Sequence, residues 1–222
     1  MAGLQSPKLA IFVRVEAPPP LTKEELIQKL ISDKTLLTPR IIGAFRAVDR
    51  KDFVLPQDEA GAYEDRPLSI GYGATISQPT TVAIMLEKLQ PKTGDKILEI
   101  GTGSGYLTAL LARTVGESGE IFSVEYIAEL KEFAGPNLKK YNFKNINLFT
   151  GDGKKGLIDF APFDKITSSA SGDEIPKAWK SQLKIGGRIV APLGGNLVVS
   201  DRISKRKFKE EKHPGFIFVP LQ

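Results

Sequence analysis

The second half of the chain constrains the fold most, because short apolar runs alternate there with helix-like segments. Turn-forming residues flank the apolar runs, which are KILEI (96–100), EIFSVE (120–125), NINLF (145–149), FDKITS (163–168) and GRIVAP (187–192). Segments with helical periodicity lie between them, near 105–115, 127–140 and 176–184. This alternation is typical of βαβ units, so it predicts an α/β fold with a mostly parallel, doubly wound sheet.

The C-terminal part is predicted to leave this parallel pattern. LGGN (193–196) gives no room for a helix before LVVSDRI, which should therefore pair antiparallel with GRIVAP. FIFVPL (216–221) is predicted to form a last strand. Gly135–Pro136 falls inside the 127–140 pattern and should kink or split that helix, because proline removes a backbone donor.

The N-terminal part is predicted to be mostly helical. Thr22, with Glu25 three residues later, indicates one helix start, and Thr38–Pro39 indicates a second. Residues 1–20 are predicted to form an extended arm and residues 50–77 a loop rich in glycine and proline, before a longer helix at 79–89.

A glycine-rich loop follows the first strand of the alternation, in LEIGTGSGY (98–106). Loops at this place in a doubly wound sheet bind ligands, and Gly101, Gly103 and Gly105 let the backbone approach one closely. A dinucleotide fingerprint would need its third glycine at position 106, which is Tyr106. A P-loop is excluded because no G-K-[ST] follows. The loop therefore favours a ligand with an adenosine but no phosphate.

Two carboxylates at later strand ends support this interpretation. Glu125 ends the second strand of the alternation, where it could accept hydrogen bonds from both hydroxyls of a ribose. Asp152, in GlyAspGly after the third strand, could accept one from an adenine amino group.

Composition excludes several classes of site. The chain has no cysteine and one histidine, His213, so we expect no thiolate chemistry, no catalytic triad and no metal site. No apolar run is long enough for a membrane span or a secretory signal, and we expect a cytoplasmic protein without a membrane partner. The net charge of +5 is spread along the chain. We interpret the one basic cluster, SKRKFKEEK (204–212), as a solvated sheet edge rather than a nucleic-acid site.

These motifs carry a resemblance to a known family. LEIGTGSGY, the carboxylate of SVEY and the GDG turn resemble the S-adenosylmethionine site of class I methyltransferases. GYGATISQP, FDKITSSASGDEIP, QLKIGGRIVAPLG and the terminal FIFVPL are similar to the protein-L-isoaspartate O-methyltransferase family, and the similarity runs from about Thr38 to the C-terminus. It implies a Rossmann-like methyltransferase domain over 1–222, with N-terminal helices and a substrate loop at 21–77 and a cofactor-binding core at 78–222.

The resemblance also implies a reaction and a set of site residues. The family uses S-adenosylmethionine to esterify the free carboxylate of L-isoaspartyl residues in damaged proteins, so the expected partners are isoaspartyl peptides and proteins, bound by a monomer. Ser77 maps onto the family's catalytic serine and would orient that carboxylate, although it could instead cap the 79–89 helix. The implied substrate site is completed by Thr75 and Ser169, and the implied cofactor site consists of Ile76, Glu99, Gly101, Gly103, Gly105, Glu125, Tyr126, Asp152 and Gly153.

The acceptor is where alternatives stay open. A carboxylate with a pKa of about 4 is ionised at pH 7 and needs no general base. The chain departs from the family pattern at Tyr72, Ala74, Leu107 and 168–171, positions that we expect to surround the acceptor pocket. Two alternatives therefore stay open. One is an enzyme of the same fold that methylates another peptide aspartate or a small-molecule carboxylate, and the other is a non-catalytic S-adenosylmethionine-binding protein. A nucleic-acid methyltransferase and an NAD-dependent dehydrogenase fit the motifs less well.

Overall fold

The computed structural model describes residues 21–221, so the predicted arm at 1–20 lies outside the described residues. Both N-terminal helices form as predicted, α1 at Lys23–Ser32 and α2 at Pro39–Ala47. At the start of α1, Thr22 and Glu25 each accept a hydrogen bond from the other's backbone amide, which is the predicted capping box. Thr38, in contrast, does not cap α2, because its hydroxyl donates to Glu87 at 2.7 Å.

The prediction of a loop over 50–77 is wrong in part. Two 3-10 turns, Arg50–Phe53 and Pro56–Gly61, precede an antiparallel hairpin of β1 (Leu68–Gly71) and β2 (Ala74–Ile76). Tyr72 and Gly73 form the hairpin turn with φ of 53° and 72°. These two left-handed residues match the twist of the flanking strands. Of the two, only the glycine is a residue type that predicts such a turn from the sequence.

Helix α3 (Pro79–Leu89) has the predicted bounds, and it leads into a mixed sheet. Within residues 21–221 this sheet has seven strands in the order β5-β4-β3-β6-β7-β8-β9. Their bounds are β3 Lys96–Ile100, β4 Glu120–Glu125, β5 Ile146–Thr150, β6 Phe163–Ser168, β7 Leu183–Leu193, β8 Asn196–Arg202 and β9 Phe208–Pro214. The connecting helices are α4 Tyr106–Val115, α5 Ala128–Lys139 and α6 Lys177–Gln182. Along this order, the strands from β5 through β4, β3 and β6 to β7 pair in parallel, and the strands from β7 through β8 to β9 pair antiparallel. This pairing confirms the predicted α/β class.

The strand order creates a crevice at the carboxyl end of β3. This strand pairs with β4 on one side and β6 on the other, so the chain leaves β3 and β6 in opposite directions. Doubly wound sheets bind ligands at such a switch point.

The prediction of a last strand at 216–221 is wrong. The last strand is β9, which ends at Pro214, and Gly215 with a φ of 94° turns the chain out of the sheet. Residues 216–221 then run beside the segment after β6, where the Ser171 amide donates to Val219 O at 2.7 Å and the Leu221 amide donates to Ser171 O at 2.8 Å.

Helix α5 stays continuous through Pro136, so the predicted split at this position is wrong. The proline ring lies on the exposed side of the helix near its C-terminal end. Water can hydrogen-bond to the carbonyl that loses its donor there, which makes the interruption tolerable.

Both faces of the sheet are covered. In β3, Ile97 packs with the cluster that includes α3 and α4, whereas Leu98 packs with the cluster around Trp179 of α6. Because side chains alternate along a strand, Glu99 faces the same side as Ile97. None of the helices between residues 21 and 221 combines the length and apolar composition that a bilayer span requires.

Candidate active site

The glycine loop after β3 forms one wall of a cleft that residues of the β1–β2 hairpin and of the C-terminal segment also line. Gly101 and Gly103 line this cleft, with φ of 88° and 54°. A Cβ on Gly103 would stand 3.5 Å from Ile70 Cδ1 and narrow the space between the loop and the β1–β2 hairpin. Two side-chain contacts fix the loop: Thr102 Oγ1 lies 2.6 Å from Ser123 Oγ, and Asn137 Nδ2 donates to Ser104 O at 3.1 Å.

Glu125 lies at the end of β4 on the floor of the cleft and is 6% exposed. Its Oε2 accepts from the Gly103 amide at 2.8 Å, and its Oε1 accepts from the Ile127 amide at 3.0 Å. Each carboxylate oxygen retains a lone pair for a ligand hydroxyl. A phosphate is disfavoured here, because the negatively charged Glu125 carboxylate already accepts from the Gly103 amide. A phosphate-binding loop would need that amide free to donate to the phosphate.

The far end of the cleft is largely apolar. Tyr126, Ile127 and Leu130 line it, and Tyr126 is 54% exposed at its mouth. The backbone of Gly153 also lines this part of the cleft. Trp179 Nε1 donates a 2.8 Å hydrogen bond to Gly153 O and so holds this backbone in place. A Cβ on Gly153 would overlap the Ile100 side chain. A flat, apolar slot of this kind suits an aromatic base.

Asp152 lies next to Gly153 but does not line the cleft. Its Oδ1 accepts from the Lys154 amide at 2.9 Å, and its Oδ2 lies 3.7 Å from Lys155 Nζ. The carboxylate caps the short turn that follows and is about one third exposed.

Three of the predicted site residues lie behind the cleft. Ile76 is buried in the core, and Gly105 packs against α5, where a Cβ would approach Leu138 Cγ to 3.1 Å. Glu99 is fully buried, and its Oε2 accepts from Thr108 Oγ1 of α4 at 2.6 Å. Burial raises the pKa of Glu99 to about 7, against the opposing effect of the Thr108 hydrogen bond. These residues support the glycine loop from behind.

A second cavity adjoins the cleft and contains the side chain of Ser77. Its lining is neutral: hydroxyl and amide groups come from Thr75, Ser77, Gln78, Thr81 and Ser169, and apolar groups come from Pro67, Ile217, Phe218 and Val219. Thr75, Ser169 and Val219 line both spaces and form their common wall. A group held in one space is therefore adjacent to a group held in the other.

Ser77 does not cap α3. The N-cap residue is Gln78, whose side chain makes no cap bond, and the Thr80 amide in the first turn donates to Asp65 Oδ1 at 2.9 Å. The alternative role of Ser77 as a helix cap therefore lacks its hydrogen bond.

Sequence reasoning missed the contribution of the C-terminal segment to both spaces. Val219, Pro220 and Leu221 line the cleft, and residues 217–219 line the second cavity. The prediction of a strand at 216–221 hid this role. Pro220 was the one residue in this segment that could have indicated a different structure, because a proline argues against a fully paired strand.

The comparison with known families identifies the class of protein that has this pair of cavities. The model of the protein-L-isoaspartate(D-aspartate) O-methyltransferase family matches residues 21–222. The chain belongs to this family. Membership makes it an S-adenosylmethionine-dependent methyltransferase of protein repair, as the motifs predicted.

Relatives support the assignment over nearly the whole chain. The protein-L-isoaspartate O-methyltransferase of Methanothrix thermoacetophila is 41% identical over 204 residues, which cover 90% of this chain and 95% of that protein. The enzyme of Fervidobacterium nodosum is 45% identical over 186 residues, which cover 82% of this chain and 94% of that protein.

Solved structures of the same family share the fold. A protein-L-isoaspartate O-methyltransferase superposes with a TM-score of 0.81 at 30% identity, covering 90% of this chain and 65% of that one. A putative protein-L-isoaspartate O-methyltransferase from Plasmodium falciparum, in complex with S-adenosyl-L-homocysteine, has the same TM-score at 22% identity and covers 90% of this chain and 97% of that one.

The departures from the isoaspartate methyltransferase pattern are distributed over the cleft, the second cavity and the core. Tyr72 and Ala74 line the cleft of the glycine loop, because the hairpin turn folds over that side. Leu107 is buried in the core, and the hydroxyl of Ser168 is bonded to the backbone of Ala170. Ser169 alone among these positions reaches the cavity that holds Ser77.

Proposed function

We propose that the glycine-loop cleft binds S-adenosylmethionine and that the cavity beside it binds the isoaspartyl carboxylate. The single observation that carries this assignment is the common wall of Thr75, Ser169 and Val219. Methyl transfer requires donor and acceptor atoms in near contact, and only adjoining sites allow that.

On the cofactor side, the chain supplies hydrogen-bond acceptors and an apolar slot. Glu125 would accept from the ribose hydroxyls, and Tyr126, Ile127, Leu130 and the backbone of Gly153 would hold the adenine. Asp152 stays our prediction for the adenine amino group, since it directly precedes Gly153, which lines this slot. The bound cofactor supplies a methyl group activated by a positively charged sulfur.

On the acceptor side, the chain supplies orientation rather than a base. Among residues 21–221, the side chains that line the second cavity carry no charge. Ser77, Thr75 and Ser169 offer hydroxyl donors. An ionised carboxylate suits this neutral site, whereas an amine acceptor would find no group to remove its proton.

The test is methyl transfer to an isoaspartyl peptide and to its aspartyl isomer, with wild type, Ser77→Ala and Ser181→Ala. We expect the isoaspartyl peptide alone to be labelled, with a lower kcat in Ser77→Ala and no change in the control, since the Ser181 side chain is exposed on α6 and lines neither cavity. Equal labelling of both peptides would favour another carboxylate acceptor. Absent labelling with intact S-adenosylhomocysteine binding would favour a non-catalytic protein. The expected monomer and the expected location in the cytoplasm stay predictions.

A further inference from the structure

Arg50 is a buried cation between the two halves of the site. Its side chain is 1% exposed, Nε donates to Ala62 O at 2.9 Å, and Nη2 donates to Arg66 O at 3.3 Å. Nη1 finds no partner within residues 21–221. Burial lowers the pKa of Arg50 to about 10, so the group is protonated at pH 7. Burying such a charge is costly unless it makes specific interactions.

The carbonyls bonded to Arg50 belong to the segment 62–66, which carries Asp65. Asp65 accepts from the Thr80 amide at 2.9 Å and from Thr80 Oγ1 at 2.6 Å. Because Gln78 provides no side-chain cap, Asp65 caps α3 through a tertiary contact. The placement of this helix end, and of Ser77 just before it, therefore depends on segment 62–66.

The face of the Arg50 guanidinium packs on the glycine-loop side. Arg50 Cζ lies 5.3 Å from the centroid of the Tyr106 ring, and Phe53 packs against the same ring at 5.6 Å. Tyr106 is the first residue of α4 and directly follows Gly105. The Arg50 side chain thus contacts both α4, which begins directly after the glycine loop, and segment 62–66, which anchors the acceptor cavity.

We infer that Arg50 is a positioning residue that fixes the acceptor cavity relative to the cofactor cleft, acting through segment 62–66 and Asp65. This inference rests on the proposed function. Arg50 lines neither cavity, so its effect is on alignment. A misalignment of about 1 Å can cost about 100-fold in rate, which sets the size of the expected effect.

The experiment compares Arg50→Lys and Arg50→Met with wild type and with Arg46→Met, an exposed arginine of α2 that serves as the matched control. We expect Arg50→Met to lose about 100-fold in kcat/KM for the isoaspartyl peptide. We expect Arg50→Lys to fall between Arg50→Met and wild type, because one ammonium cannot serve both carbonyls and the ring. The Kd for S-adenosylhomocysteine should stay within about twofold of wild type in every variant.

Asp65→Ala tests the route and remains available if Arg50→Met does not fold. It should raise KM for the peptide without weakening S-adenosylhomocysteine, and its effect should not add to that of Arg50→Lys, since both act on one contact chain. Additive losses, or a loss of cofactor affinity equal to the loss in kcat/KM, would overturn the inference. Failure of the proposed function is distinct, because wild type and Arg46→Met would then also leave the isoaspartyl peptide unlabelled.

Discussion

The buried carboxyl of Glu99 makes a specific prediction about stability and pH. Glu99 is fully buried behind the glycine loop, and burial raises its pKa from an ordinary 4.5 to about 7. At about 1.36 kcal/mol for each pKa unit, this difference corresponds to about 3 kcal/mol. The perturbation that isolates this contribution is Glu99→Gln, which keeps the side-chain shape and an oxygen for the Thr108 hydroxyl.

The sign follows from proton binding. Between pH 4.5 and 7 the folded protein holds the Glu99 proton that the unfolded chain has lost, so unfolding releases a proton and the folded state weakens as the pH rises. Wild type should therefore lose about 3 kcal/mol between pH 4.5 and 8 that Glu99→Gln does not lose. All other titrating groups are common to both proteins, and their contributions cancel in the comparison.

The assay is urea unfolding of both proteins without cofactor at several pH values. A matched control is Glu120→Gln, an exposed carboxyl at the start of β4, which should follow wild type. Parallel curves for wild type and Glu99→Gln would refute the reasoning, because they would mean that the buried carboxyl ionises as readily as in the unfolded chain.

Three further substitutions test the site and the fold. Gly103→Val should weaken S-adenosylhomocysteine binding in calorimetry while circular dichroism keeps its helical signal, since a Cβ would stand 3.5 Å from Ile70 Cδ1 and a φ of 54° strains a β-branched residue in the loop; unchanged affinity would contradict the cofactor assignment. Glu125→Ala should weaken the same ligand by about 1–3 kcal/mol, because ribose hydroxyls lose their acceptor; a change in peptide KM alone would speak against that role. Thr22→Ala should lower the free energy of unfolding by about 1 kcal/mol through loss of the α1 cap, and a value near zero would show that the cap contributes nothing in the folded chain.

The periodic parts of the fold were predictable from the sequence. Runs such as 96–100 and 163–168 became strands with the expected bounds, because turn-forming residues flank them and helix-like segments separate them in the sequence. The hairpin at 68–76 was missed because its turn depends on a left-handed tyrosine, a conformation that composition does not reveal. The C-terminal segment was misjudged because 216–221 is as apolar as a strand, and only the turn at Gly215 directs it elsewhere.

The candidate site was predictable where local sequence determines geometry. The glycine spacing and the carboxylate of Glu125 were sufficient for the cofactor cleft. The roles of Arg50 and Asp65 were not predictable, because their contacts with Tyr106 and Thr80 join residues far apart in the sequence. Tertiary contacts of this kind have no short-range pattern.

The outermost strand β9 has a consequence for how the molecule meets others of its kind. Within residues 21–221 its backbone pairs only with β8, and the sequence FKEEKHP places exposed lysines and glutamates along it and a proline at its end. A second chain adding there by strand pairing would have to desolvate these charges and would lack a donor at Pro214. The charged side chains of β9 therefore disfavour strand-to-strand association at this edge of the sheet.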